Sequence, residues 1–172
     1  KHYRLQGAIC QPKPAQDPHI PLWIAGGGEQ LTLRTAARHA AYSNFGQTIE
    51  NFNRKSEVLA GHCRNVGRDF DEIVRSANFN VLIGADEAEV RDRLDWYRSH
   101  LRPFLSEERI ERTIQANYID AGGVVGTPEQ VVEYFTQWQE AGADYAICYF
   151  ADAAYDRRGL DLFAGQVIPA LA

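Results

Sequence analysis

No methionine occurs anywhere in the 172 residues. A chain that opens Lys1-His2-Tyr3-Arg4 has no initiator, so the expectation is that it was processed or is a piece of something longer. Cysteine is scarce: Cys10, Cys63 and Cys148 are odd in number and far apart. They fit reduced, mostly buried thiols in the cytoplasm better than a disulfide framework. No uncharged apolar run approaches the ~18 residues of a membrane span, and the opening residues form no apolar signal segment. Runs of basic charge are missing too. Lys and Arg total 18 against 23 Asp and Glu, a net charge of −5, which argues against a nucleic-acid or membrane-surface partner. The five histidines (His2, His19, His39, His62, His100) lack metal-ligand spacing and there is no HExxH, so no metal site is expected. There is no Gly-x-Ser-x-Gly elbow, no Walker loop and no GxGxxG fingerprint.

What remains is a globular composition, 45% hydrophobic and 24% charged, sized for one domain. Four of the seven prolines (Pro12, Pro14, Pro18, Pro21) keep residues 1–21 irregular. Leu22 to Ala25 is a short apolar run closed by three glycines, and reads as a fully buried strand of a parallel sheet. Leu33, Ala36, Ala37 and Ala40 then recur at helical spacing. Ala41 to Phe45 is a second strand candidate. Thr48 caps a helix whose face carries Phe52, Leu59, Cys63 and Val66 and which Gly67 ends. Ile73 to Ile83 alternates with period two: Ala77, Phe79, Val81 and Ile83 against Ser76, Asn78, Asn80 and Leu82.

Asp86 and Glu89 start a helix with the stripe Val90, Leu94, Tyr97 and Leu101. Residues 102–119 form a charged helical insertion. Thr127, Pro128 and Gln130 give a capped helix start, with Val131, Tyr134, Phe135 and Trp138 on its face and Gly142 as a stop. Tyr145 to Phe150 is a fourth strand, and Leu160, Phe163, Val167 and Leu171 mark a terminal helix. Four βα units with a helical insertion after the third strand imply a parallel α/β sheet with right-handed crossovers. Half of a (β/α)8 barrel and an open four-stranded sheet both satisfy this pattern.

The sharpest chemical feature is Trp23-Ile24-Ala25-Gly26-Gly27-Gly28-Glu29-Gln30-Leu31-Thr32, a strand running through three glycines into a helix. Without Cβ atoms, backbone N–H groups can approach an anion, and the helix N-terminus adds its partial positive charge. Thr32 can add a hydroxyl. The competing reading is a tight turn that merely needs φ > 0. Gly122-Gly123-Val124-Val125-Gly126 has no clear strand running into it and reads mainly as loop and cap. His39 and His62 read as surface or boundary residues, Cys63 and Cys148 as packing. Asp152 and Arg157-Arg158 follow the fourth strand and read as structural and solvated. Asn44, ending the second strand, is a candidate ligand contact.

Taken together, Pro18-His19-Ile20-Pro21-Leu22-Trp23-Ile24-Ala25-Gly26-Gly27-Gly28-Glu29 and Leu31-Thr32-Leu33-Arg34-Thr35-Ala36-Ala37-Arg38 resemble the fifth strand and following helix of luciferase-like monooxygenases, most of all the coenzyme F420-dependent branch. His62 to Asp69 with Asp71-Glu72-Ile73, then Gly126 to Val131, Ala141-Gly142-Ala143 and Phe163 to Leu171, agree in order with later parts of that family. The resemblance implies that residues 1–172 are the C-terminal half of a TIM-barrel domain. It implies an oxidoreductase moving hydride between coenzyme F420 (alternatively FMN) and a small organic substrate, as a cytoplasmic homodimer. It places the cofactor phosphate on Gly26, Gly27 and Gly28, with Thr32 as a weaker partner; Asn44, read from its place at the end of the second strand, is the substrate-binding candidate.

Ala40-Ala41-Tyr42-Ser43-Asn44 departs from the family's Ala-Asp-Gly-x-Asn, so packing or substrate shape at the second strand is expected to differ. No catalytic acid or base can be named. Residues assisting hydride transfer are expected in the family's N-terminal half, and this part alone is expected to be inactive. The alternative is a non-catalytic half-barrel that self-associates through its two open sheet edges. An isomerase or aldolase barrel would need a catalytic Lys or Glu at a strand end, and none stands out.

Overall fold

The computed structural model describes residues 3–17, 19–120 and 122–172. Pro18, one of the prolines expected to keep the N-terminal stretch irregular, lies outside them, as do Lys1 and His2. In chain order the elements are β1 (Trp23–Ala25), α1 (Thr32–His39), β2 (Tyr42–Asn44), α2 (Ile49–Val66), β3 (Val74–Ile83), α3 (Glu87–Leu101) and α4 (Glu107–Ile114). A π-helical turn (Gln115–Asp120) follows, then β4 (Gly123–Gly126), α5 (Pro128–Glu140) and β5 (Tyr145–Tyr149). The chain closes with α6 (Arg158–Leu162), a second π turn (Phe163–Val167) and α7 (Ile168–Leu171). All strand pairs are parallel. β1 pairs with β2, and β2 with the first residues of β3. β4 continues along that same flank of β3, while β5 pairs with Ser76 to Asn80 on the other.

Local chemistry accounts for the helix ends. The Thr48 hydroxyl accepts from Asn51 N, and Gly67 closes α2 in the left-handed conformation at φ 69°. Asp86 Oδ1 accepts from the amides of Ala88 and Glu89. Glu89 reaches back to Ala85 N rather than to the cap residue. Gln130 Oε1 accepts from Thr127 N, with Pro128 at the first helical position.

One face of the sheet is covered by helices, and the core lies there. Leu33, Ala36 and Ala37 of α1, Phe52, Leu59 and Cys63 of α2, and Val131, Phe135 and Trp138 of α5 are buried against Ala77, Phe79 and Val81 of β3. Phe79 meets Phe135 and Trp138 edge-on, both at 4.9 Å between centroids. Side chains alternate across a strand, so Trp23, Tyr42, Asn44, Asn78, Tyr145 and Tyr149 fall on the opposite face. There Trp23 stacks on Tyr42 at 4.4 Å, with Tyr145 edge-on at 5.2 Å.

Three expectations need correction. Gly123–Gly126 is a strand, making five in the sheet. A Cβ on Gly123 would fall 2.2 Å from Asn117 O, so this strand is glycine-bounded because the π turn packs onto its backbone. β1 is not fully buried: Trp23 is 44% exposed, because β1 is an edge strand and its second face is open. Cys10 is exposed in the irregular N-terminal segment, whereas Cys63 is buried and Cys148 partly so.

Candidate active site

The C-terminal ends of β1 and β2 and the middle of β3 open into a cleft of about 450 Å³. Parallel α/β folds place ligands at that end of their strands. Gly26, Gly27, Asn44, Asn78, Asn80 and Asn117 are among its walls, and none of the described lining residues is charged.

The carboxamides form a row of fixed polarity. Ser76 Oγ donates to Ser43 O, so it accepts from Asn44 Nδ2 at 2.9 Å. Asn44 Nδ2 also donates to Asn78 Oδ1 at 3.1 Å. Among the described residues this leaves Asn44 Oδ1 as an acceptor and Asn78 Nδ2 as a donor without protein partners. Asn80 Nδ2 donates to Asn117 O at 3.2 Å, tying β3 to the π turn. Such a surface can orient a neutral, hydrogen-bonding ring, and it holds no acid or base for proton transfer.

At the other end lies the glycine turn. Gly26 has φ 111° and donates its N–H to Asn44 O at 2.8 Å. Its amide is therefore committed to the sheet. Among the described residues the N–H groups of Gly27 and Gly28 have no protein acceptor. Thr32, which opens α1, stands beside them: a Cβ on Gly28 would lie 2.9 Å from Thr32 Oγ1. No acid occupies the first turn of α1, and Leu31 supplies no side-chain cap. Two unpaired amides before an uncapped helix start fit the oxygens of a phosphate. Gly28 and Thr32 adjoin the cleft's glycine corner but are not among its lining residues.

Two asparagines and a lysine were missed by sequence reasoning. Asn78 and Asn80 are polar positions of an alternating strand, and asparagine is disfavoured in strands; that mismatch was the available signal. Lys55, one turn beyond Asn51 on α2, gave none. Its ammonium donates to Gly27 O and to Glu29 Oε1, the latter at 3.0 Å, and its side chain is only 13% exposed. Arg54 also pairs with Glu29, and His62 Nε2 lies 2.8 Å from Glu29 O. The hydrogen bond from Lys55, then the Arg54 charge, hold the Glu29 carboxyl below the usual carboxylate range.

The remaining candidates lie elsewhere. Asp152 is buried in an ion pair with Arg93 of α3. Arg157 and Arg158 are solvated. Burial pushes the Cys148 thiol up to about 11 and raises that of Cys63, so neither is a poised nucleophile. Among the described residues no His, Cys, Asp and Glu cluster could hold a metal, and no helix is long and apolar enough to cross a membrane.

Comparison with known proteins decides the lineage. The profile of the luciferase-like monooxygenases matches residues 1–145. The chain belongs to the luciferase-like monooxygenase family. No curated protein matches it significantly. Among solved structures it is similar to EDTA monooxygenase from Chelativorans sp. BNC1, with a TM-score of 0.66 and 22% identity over 99% of this chain and 48% of that one. Coenzyme F420-dependent tetrahydromethanopterin reductase from Methanopyrus kandleri gives 0.64 and 19% over 89% and 51%. Monooxygenase RslO1 from Streptomyces bottropensis gives 0.68 and 18% over 94% and 51%. The chain thus spans about half the length of these luciferase-like relatives. Its fold is that of half their TIM barrel, with the five-stranded parallel sheet described above.

Proposed function

We propose that residues 1–172 form the C-terminal half of a luciferase-like barrel in which hydride moves between coenzyme F420 and a small organic substrate. FMN is the alternative carrier. Gly27 and Gly28 would hold the phosphate through their N–H groups, with Thr32 as a weaker partner. Gly26 shapes the turn rather than donating. When bound, the carrier supplies the hydride chemistry; the residues of this chain bind and orient. Asn44 and Asn78 present an acceptor and a donor to whatever lies in the cleft, substrate or ring. The observation that carries the reading is the pair of unpartnered amides at the carboxyl end of β1, opening beside an uncharged carboxamide-lined cleft. Isothermal titration calorimetry with coenzyme F420 and with FMN tests it. Saturable binding of either supports it, and heat-silent titrations of folded protein by both overturn it.

A second reading, self-association, rests on a separate observation. Tyr145 and Tyr149 on the open sheet face are about half exposed, and among the described residues β1 and β5 each have one strand neighbour. A second copy could cover this face in a homodimer, and light scattering at several concentrations reports whether one forms. A cytoplasmic location is part of the same proposal, supported by the absence of cysteine pairing among the described residues.

A further inference from the structure

The carboxamide cleft does not end at Asn117. Ala116 and Asn117 of the π turn also wall a second hollow of about 480 Å³, whose other walls are Leu105, Arg109, Arg112 and Thr113. The two spaces differ in charge. None of the described residues lining the cleft is charged, whereas the hollow has two arginines and no carboxylate among its described walls. The sequence of α4 accounts for this. Arg112, Thr113 and Ala116 come three, four and seven residues after Arg109, so they share one side of the helix. Its buried residues, Ile110 and Ile114, lie on another. Glu107 and Glu111 are held by Arg102 and Arg98, each at 2.8 Å. Arg112 meets Glu108 only at 3.5 Å, with both side chains largely exposed. Among the described residues Arg109 has no carboxylate partner. The Thr113 hydroxyl donates to Arg109 O, which leaves the guanidinium groups as the hollow's charged donors. In a chain of net charge −5, such a cationic recess is a local attractor for anions.

We propose that Arg109 and Arg112 bind the carboxylate of an organic-acid substrate whose neutral, hydrogen-bonding body lies in the carboxamide cleft. The inference rests on the reading of that cleft as the substrate's place, and adds the substrate's charge class. A guanidinium fork matches the two oxygens of a carboxylate. Asn44 Oδ1 and Asn78 Nδ2 offer an acceptor and a donor, the complement of an amide in the ligand. Arg109 is the chief specificity-determining residue, because it gives up no ion pair to bind, whereas Arg112 must leave Glu108.

The test titrates hippurate, a carboxylate bearing one amide, and its neutral twin hippuramide into the isotope-labelled wild type, Arg109→Gln and the double variant Arg109→Gln/Arg112→Gln. NMR follows the arginine Nε and asparagine Nδ2 resonances. Both arginines are exposed, so the variants fold. A unit charge pair at contact in water-like surroundings is worth roughly fivefold in affinity. Hippurate should therefore bind the wild type about fivefold more tightly than hippuramide, and Arg109→Gln should remove most of that preference while leaving hippuramide unchanged. Salt at about 1 M should erase it as well. Equal affinities for the two ligands, a preference that survives in the double variant, or no arginine response to millimolar hippurate overturns the proposal. Variants that lose affinity for coenzyme F420 or FMN but keep it for hippurate assign the arginines to the carrier and also overturn it. Titrations silent with both carriers, with the arginine-dependent preference intact, overturn the carrier reading and leave this one standing.

Discussion

Arg93 is a buried charge that ties α3 to the segment after β5, and its removal tests how strongly those two parts of the chain are coupled. It lies on α3 with its side chain only 6% exposed. Its guanidinium pairs with Asp152 beyond β5 and bonds Glu89 at 2.9 Å, with Asp156 at 3.6 Å, while its Nε has no partner. Arg93→Met leaves Asp152 buried without a counter-charge. Breaking a buried pair in this way costs about 3–5 kcal/mol. At ~2–4 °C per kcal/mol for a chain of this size, the melting temperature should fall by roughly 6–20 °C. Glu89 and Asp156 are partly solvated and add little to that loss. Arg93→Met with Asp152→Leu removes both charges and should recover most of the stability, because an apolar replacement of a buried pair is often neutral. Differential scanning calorimetry of both single variants and the double closes the cycle. A melting temperature for Arg93→Met within ~2 °C of wild type would refute the claim that this pair is desolvated and coupled.

Thiol reactivity should follow burial: at pH 8, iodoacetamide should label Cys10 quickly and leave Cys63 and Cys148 unmodified in the folded protein, as read by peptide mass spectrometry. Acid should weaken the fold through Glu89, lowered chiefly by the Ala85 amide, and Asp156, held at about 2 by Arg158. Both are depressed, so their contribution is complete above the ordinary carboxylate range and is lost as pH falls through it toward about 2. Glu89→Gln should flatten that loss in urea midpoints measured from pH 7 downward, and curves parallel to wild type would contradict it. Gly123→Ala must push a methyl into the π turn beside Asn117 O, and should cost about 1–3 kcal/mol by denaturant unfolding. Phe79→Ala, at the centre of the aromatic cluster under α5, should cost about 3–5 kcal/mol by the same assay.

The βα rhythm was legible because its signals are local. Caps at Thr48 and Asp86, the stop at Gly67 and the alternation through β3 all report on neighbours in sequence. Burial of β1 was misjudged because an apolar run does not say whether a second layer covers it. β4 stayed hidden because its glycines lower strand propensity, while the reason for them is a π turn packed on its backbone. Within the site, the glycines and Asn44 could be named from the strand-end pattern. Lys55 and Arg93 could not, since each acts through a partner 26 and 59 residues away. The commitment of Gly26 N–H to Asn44 O likewise appears only once β1 and β2 are aligned.

The most direct test of the central claim is a crystal structure of the protein with coenzyme F420 bound. Phosphate oxygens at about 2.9 Å from the nitrogens of both Gly27 and Gly28 are the predicted result. A phosphate seated anywhere else, with those two amides still facing solvent, would contradict it.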